Sequence, residues 1–159
     1  MKARVCVLFL AVLLLLAGCA VPKGDYFAPF RGDFTARIEG EWQGEAISAR
    51  MEQSAQGRTI TFYAPDTLCD TVLSCDAEGG ISLCVEDLTL PLEGETAASF
   101  AALFDLFPTA GEVRQIVQEN DNIRVDGVGF SLTFAPDGTP LAAANAAANV
   151  RVTAWRVGE

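Results

Sequence analysis

Apolar and polar residues alternate along most of this chain, and that alternation limits the possible folds more than any other feature. Apolar side chains recur at every second position in residues 34–38, 59–63, 128–134 and 150–154. A period of two places alternate side chains on opposite faces of a β-strand. We therefore predict a sheet with one buried face, in which four or five strands precede a helix and two or three strands follow it.

Short turn motifs separate the predicted strands. Glycine, which tolerates positive φ, proline, which has a fixed φ, and aspartate or asparagine are typical of turns. Five such motifs divide the chain: Gln56-Gly57, Ala64-Pro65-Asp66, Gly79-Gly80, Asn120-Asp121-Asn122 and Pro136-Asp137-Gly138. The alternation also changes phase near Gly44, which predicts a bulge or bend at that position.

Three cysteines lie in or next to the predicted hairpin at Gly79-Gly80. A two-residue glycine loop would place Cys75 opposite Cys84 on a rung without hydrogen bonds, where side chains approach most closely. The sequence therefore predicts a Cys75–Cys84 disulfide. In the alternative interpretation, Cys69, Cys75 and Cys84 are all reduced and behave as small buried apolar side chains.

The apolar period changes between residues 95 and 107. A helical stripe at i, i+3, i+4 and i+7 is formed there by Phe100, Leu103, Phe104 and Phe107. This spacing predicts an amphipathic helix with Thr96 as its N-cap and Pro108 at its end. Residues 109–119 fit either a short second helix or a strand.

The first nineteen residues have the three parts of a secretory signal. Lys2 and Arg4 precede an apolar run of 13 residues, and Leu16-Ala17-Gly18-Cys19 closes it. This segment resembles the signal of a bacterial lipoprotein, whose cysteine receives a diacylglyceryl group and becomes the new N-terminus. The alternative is an ordinary transmembrane helix, but such a helix needs about 20 apolar residues.

The lipoprotein interpretation divides the chain into three parts. Residues 1–18 would be the signal peptide, residues 19–32 a lipid-anchored tether, and residues 33–157 a single domain. The tether is rich in proline and glycine, and Tyr26, Phe27 and Phe30 are apolar enough to pack back onto the domain. We expect acyl groups such as palmitate on Cys19 to hold the protein on the extracytoplasmic face of the cell membrane.

Charge and composition exclude several classes of function. The signal holds two of the 11 basic residues and none of the 21 acidic ones, so the mature chain would have nine basic residues and a net charge of −12. Such an acidic surface argues against binding nucleic acid. The chain contains no histidine, which removes the commonest general base and metal ligand. We therefore predict no enzymatic activity, catalytic residue, metal site or cofactor.

The apolar faces of the strands and the helix supply a candidate binding site. A helix across the concave face of a curved sheet would bring eight residues together: Phe62, Phe100, Leu103, Phe104, Phe107, Phe130, Leu132 and Phe134. They would either line a pocket for an acyl chain or form an ordinary filled core.

The order of these features resembles the lipoprotein-carrier superfamily of the LolA and LppX type. The features are the lipoprotein signal, residues 62–65, the hairpin that leads to Leu88-Thr-Leu-Pro-Leu92, the helix rich in phenylalanine and leucine, and the strands after Pro136-Asp137-Gly138. The resemblance covers residues 33–157 and implies a half-open β-barrel with helices over its mouth, in which several members bind acyl chains.

Together, the residues and the resemblance define the expected protein. Its fold class is α+β, with a curved antiparallel sheet and one or two helices packed on the concave face. We expect a membrane lipoprotein that binds a hydrophobic ligand or an acylated protein between the sheet and the helix. The alternative is a non-catalytic lipoprotein with a filled core that binds or scaffolds another envelope protein.

Overall fold

Eleven β-strands form one antiparallel sheet in residues 24–158, the part of the chain that the computed structural model describes. The α-helix of this part, α1, spans Gly94–Phe104. The strands are β1 (Phe34–Trp42), β2 (Glu45–Ser54), β3 (Gly57–Ala64), β4 (Val72–Asp76), β5 (Ile81–Val85), β6 (Leu88–Pro91), β7 (Val113–Glu119), β8 (Asn122–Gly127), β9 (Ser131–Phe134), β10 (Pro140–Ala144) and β11 (Ala148–Val157). The predicted α+β class, with its antiparallel sheet and helix, is confirmed.

The strands form two meanders that meet in the middle of the sheet. Their order is β6-β5-β4-β3-β2-β1-β11-β10-β9-β8-β7, so β1 and β11 pair at the centre. The chain leaves the sheet at one edge after β6, forms α1, and returns at the opposite edge as β7. The two edge strands are not paired with each other, and the sheet is therefore unclosed.

Two of the hairpins have two-residue loops in which both residues have positive φ. Gln43 and Gly44 have φ values of 53° and 83° and connect β1 to β2. Asn120 and Asp121, at 49° and 70°, connect β7 to β8 in the same way. Two successive residues with positive φ fit the right-handed twist of a hairpin. Gly44, where a bulge or bend was predicted, therefore lies in a hairpin turn and not at a bulge, and the predicted turn at residues 120–122 is confirmed.

The hairpin between β4 and β5 corrects the predicted disulfide. The carboxylate of Asp76 accepts the N–H groups of Glu78 (2.9 Å) and Gly80 (2.8 Å), which closes a longer loop over residues 77–80. The resulting register places Cys75 opposite Ile81 and Cys84 opposite Val72. An odd shift in register moves a side chain to the other face of a sheet, so the two sulfur atoms lie on opposite faces. Both cysteines are free.

The helix begins and ends earlier than its apolar stripe predicts. Glu93 is the N-cap residue and makes no side-chain cap hydrogen bond, so the prediction of Thr96 as N-cap is wrong. The helix ends at Phe104, yet Leu106 and Phe107 remain fully buried in the segment that follows. Of the two alternatives for residues 109–119, the strand is correct, as β7.

A bulge in β11 changes which side chains face the core. Arg37 lies opposite Ala154 and Ile38 opposite Val152, so Thr153 is an extra residue in β11. An extra residue reverses the alternation beyond it. Uninterrupted alternation from Val150 would predict that Trp155 points away from the buried face, but the bulge turns it inwards and its ring stacks on Phe34, with centroids 4.6 Å apart.

The aromatic residues before β1 pack into the core, as the sequence predicted. Phe30 is fully buried, and its ring centroid lies 5.3 Å from that of Phe107 and 5.6 Å from that of Trp155. Phe27 meets Phe130 edge to face at 5.6 Å. Residues 24–32 therefore belong to the folded body. The predicted signal peptide and lipidation at Cys19 lie outside the described residues.

Replacement of Phe30 by alanine tests this packing. We expect Phe30→Ala to lower the free energy of unfolding by about 3–5 kcal/mol, because a buried ring is lost and a cavity remains. The matched control is Val128→Ala, which truncates an exposed apolar side chain and should change stability by less than about 0.5 kcal/mol. Urea unfolding followed by circular dichroism measures both values, and equal effects would show that residues 24–32 do not stabilise the domain.

Candidate functional site

The structure brings all eight residues of the predicted pocket into one hydrophobic cluster or against its edge. Phe100 is partly buried, and the other seven are at most 8% exposed. They come from β3 (Phe62), from α1 and the segment after it (Leu103, Phe104, Phe107), and from β9 and the residue before it (Phe130, Leu132, Phe134). Whether these side chains contact a ligand remains a prediction.

The cluster is densely filled near β9 and β11. Phe30 lies among four other aromatic rings, Phe34, Phe107, Phe134 and Trp155, with centroids 5.3–6.3 Å away. Phe130 fits beside Gly127 because a glycine has no Cβ, and a Cβ there would lie 2.1 Å from the ring. The rings pack so closely that a ligand would fit at this end of the cluster only if some of these side chains were shorter.

The same face of the sheet extends in the other direction, towards the edge strand β6. Directly opposed residues on neighbouring strands share a face. The register forms one continuous apolar row across six strands: Ala36, Met51, Ile60, Leu73, Leu83 and Leu90. The first four of these are fully buried, Leu83 is half-buried, and Leu90 is 44% exposed. The core face therefore becomes progressively uncovered towards β6.

A second pair of exposed apolar residues lies beside the end of this row. Val85 stands two positions after Leu83 and opposite Leu88, so both Val85 and Leu88 are on the core face. Their exposures are 39% and 58%. We call Val85, Leu88 and Leu90 the apolar shelf. It is a solvent-exposed extension of the surface that forms the hydrophobic core.

Three short hydrogen bonds hold α1, which also contacts β5, against the sheet. Gln43 donates to the Ser99 hydroxyl, Asn145 to the Ala102 carbonyl and Arg58 to the Phe104 carbonyl, each at 2.6 Å. The two carbonyls are near the C-terminal end of the helix, where backbone acceptors lack partners within the helix. These contacts fix α1 beside the β1–β2 turn, the β10–β11 turn and β3.

Arg58 connects this helix end to the start of the domain. Its Nε donates to the Gln53 side chain at 2.6 Å, and the Gln53 amide donates to the carbonyls of Phe30 and Gly32, each at 2.8 Å. Burial lowers the pKa of Arg58, and Cys75, when ionised, and the Asp105 carboxylate oppose that shift. Arginine nevertheless keeps its charge in proteins, so the network is permanent over the physiological pH range.

The free cysteines do not form a reactive centre with the residues around them. Burial, followed by the negative charge of Asp76, raises the pKa of the Cys75 thiol, and nearby Arg58 only partly offsets this. A raised pKa disfavours the nucleophilic thiolate. Cys69 is exposed. Within residues 24–158, no three histidine, cysteine or carboxylate side chains are grouped so that they could hold a metal ion.

Helices in residues 24–158 are all too short or too polar to cross a membrane.

The sequence does not reveal the apolar shelf, because the apolar pattern after Gly79-Gly80 predicts one strand over residues 81–90. The structure divides them into β5 and β6, with a turn at Glu86-Asp87 in which Glu86 has a φ of 52°. The available signal was two alternating apolar runs, at 81, 83 and 85 and at 88, 90 and 92, separated by two acidic residues. Two alternating apolar runs separated by two residues have the spacing of a β-hairpin with a two-residue loop.

Comparisons with known proteins concern the fold. The chain is similar to an uncharacterized conserved protein from Thermus thermophilus, at 12% identity and a TM-score of 0.52, over 83% of this chain and 82% of that one. It also aligns with a LolA superfamily protein from Nitrosomonas europaea, at 6% identity and a TM-score of 0.41, over 81% and 87%. No protein-family model and no curated protein matches the chain.

Proposed function

We propose that this chain is a lipoprotein, anchored through Cys19 to the extracytoplasmic face of a membrane, that binds an acyl chain on the core face of its sheet. The ligand is a lipid or the fatty group of an acylated protein. The apolar shelf is its entry surface, and two of the predicted pocket residues, Phe62 and Phe100, form the inner end of the site. An anchored protein of this kind would accept, hold or present its ligand near the membrane.

The observation that supports this proposal most strongly is the exposure of the apolar shelf. Its three side chains, 39–58% exposed, continue the surface that is fully buried at Leu73 and Phe62. Each methylene group moved from water to such a surface contributes about 0.8 kcal/mol. A long acyl chain laid along the shelf would therefore gain several kcal/mol without opening the filled end of the core.

A second function is supported by the packing of the predicted pocket. Seven of its eight residues are at most 8% exposed and the aromatic rings around Phe30 contact one another. A core filled in this way suits a lipoprotein that positions an envelope protein and binds no small ligand. In that case, the shelf would contact the protein partner.

Binding of a fluorescent fatty acid distinguishes these two functions. The chain from Ala20 onward, which contains all of the described residues, is titrated with cis-parinaric acid. We expect saturable binding that the double variant Leu88→Asp, Leu90→Asp weakens at least tenfold, because two buried leucine contacts are worth more than the 1.4 kcal/mol that a tenfold change requires. The matched control is Val128→Asp, since Val128 is 49% exposed and lies outside the shelf.

The control should bind within twofold of the unmodified chain, and all variants should keep its far-ultraviolet circular dichroism. Absence of saturable binding by the unmodified chain would exclude the acyl-binding function and leave the filled-core alternative. An equal loss in Val128→Asp would contradict the position of the site.

Metabolic labelling tests the anchor. Cells that express the full chain are grown with an alkyne-tagged palmitate, and we expect the protein to incorporate the tag and to sediment with membranes. Cys19→Ala should lose both properties, because the acyl chains are attached through that sulfur and its new amino group. An unlabelled chain, or a labelled Cys19→Ala chain, would contradict lipidation at this position.

A further inference from the structure

Three arginines converge on the outer face of the sheet, opposite the core. Arg37 on β1, Arg50 on β2 and Arg156 on β11 line a depression of about 320 Å³, together with Tyr63, Thr35 and Ala154. All three arginines are exposed. This basic depression, as we call it, lies on a chain whose net charge is −10.

The register of the strands forces two of these charges together. Arg37 lies directly opposite Arg50, and Arg156 lies opposite Thr35, two residues before Arg37. Like charges directly opposite on neighbouring strands destabilise a sheet. Repulsion between the Arg37 and Arg50 guanidinium groups thus destabilises this part of the sheet when no ligand is bound. An anion between the two groups would relieve that repulsion.

Neighbouring carboxylates neutralise the depression only in part. Glu52 forms an ion pair with Arg50 at 2.7 Å, and Glu39 is engaged by Arg151 at 2.8 Å. In the part of the chain that the structure describes, Arg37 and Arg156 form no ion pair. The positive charges of Arg37 and Arg156 therefore have no carboxylate partner within the described residues.

Tyr63 orients one of the unpaired arginines. The guanidinium carbon of Arg37 lies 5.2 Å from the centroid of the Tyr63 ring, within the range of a cation–π interaction. This contact leaves the in-plane N–H groups of Arg37 free to donate. A planar guanidinium donates two parallel hydrogen bonds to an oxyanion more readily than an ammonium group does.

We propose that the basic depression binds a phosphate group. Arg37 and Arg156 supply the uncompensated charge and paired donors, Arg50 adds a third guanidinium, and Tyr63 forms one wall. The volume accommodates the phosphate with a small organic substituent. The phosphate group belongs either to a soluble phosphate ester or to the phosphodiester of a lipid headgroup. Both ligands present the same kind of oxyanion to the arginines. This site lies on the opposite face from the apolar shelf and does not depend on acyl binding.

Isothermal titration calorimetry on the full chain, in a nonionic detergent and at low ionic strength, tests the site. The probes are inorganic phosphate, glycerol 3-phosphate and glycerophosphoglycerol, with acetate as a monovalent control. We expect at least one phosphate probe to bind, with added salt weakening it. Arg37→Gln should raise the Kd at least tenfold, and Arg156→Gln should also raise it.

Arg114→Gln is the matched control because Arg114 is an exposed arginine on β7, outside the depression. It should leave the Kd unchanged within twofold. Tighter binding of the diester glycerophosphoglycerol would identify a lipid headgroup as the source, and tighter binding of the monoester glycerol 3-phosphate a soluble ester. The proposal is overturned if no phosphate probe binds, if acetate binds equally well, or if Arg37→Gln and Arg114→Gln have the same effect. A cooperative melting transition verifies that Arg37→Gln is folded. Phosphate should raise the melting temperature of this variant less than that of the unmodified chain.

Discussion

One short helix has to cover a very wide sheet, and the rest of the structure depends on this mismatch. An α-helix of 11 residues is about 16 Å long. Eleven strands at about 4.8 Å spacing extend over about 50 Å when laid flat. Curvature of the sheet reduces the difference without removing it. Some of the apolar face must therefore be covered by other segments or stay in contact with water.

The two sides of the sheet resolve the mismatch differently. Near β9 and β11, residues 24–32 and the segment after α1 supply Phe27, Phe30 and Phe107, and the interior is filled with aromatic rings. Near β5 and β6, α1 contacts β5 and Leu92 packs against the core, yet Leu88 remains 58% exposed. Arg58 and Gln53 tie the helix to the filled side. The asymmetry makes one side a filled core and leaves apolar side chains exposed on the other.

Alternation and helical spacing were sufficient to predict the class of fold, most of the strands and the helix, whereas Phe27 and Phe30 lie in a segment predicted as a tether and were identified only as apolar enough to pack back. Register was not predictable, because one local hydrogen bond can change it. The Asp76 carboxylate lengthens the β4–β5 loop and separates Cys75 from Cys84. The extra residue Thr153 likewise turns Trp155 towards the core.

The candidate site was predictable only in its buried part. The helical stripe identified Phe100 and Leu103 because periodicity reports which residues face the core. It does not report where the cover over that core ends. Which core-face residues α1 leaves exposed is a property of tertiary packing, in which α1 contacts β5 and is held by Gln43 and Asn145, both distant from it in sequence. The pairing of Arg37 with Arg50 across strands is equally a property of the assembled sheet.

Photo-crosslinking with a fatty acid that carries a diazirine near its methyl end is the most direct test of where an acyl chain lies. After irradiation and digestion, mass spectrometry identifies the modified residues. Crosslinks should concentrate in residues 81–92 and in α1, and an excess of unmodified fatty acid should suppress them. Crosslinks scattered over the outer face of the sheet, or none at all, would contradict an acyl-binding surface at the uncovered end of the core.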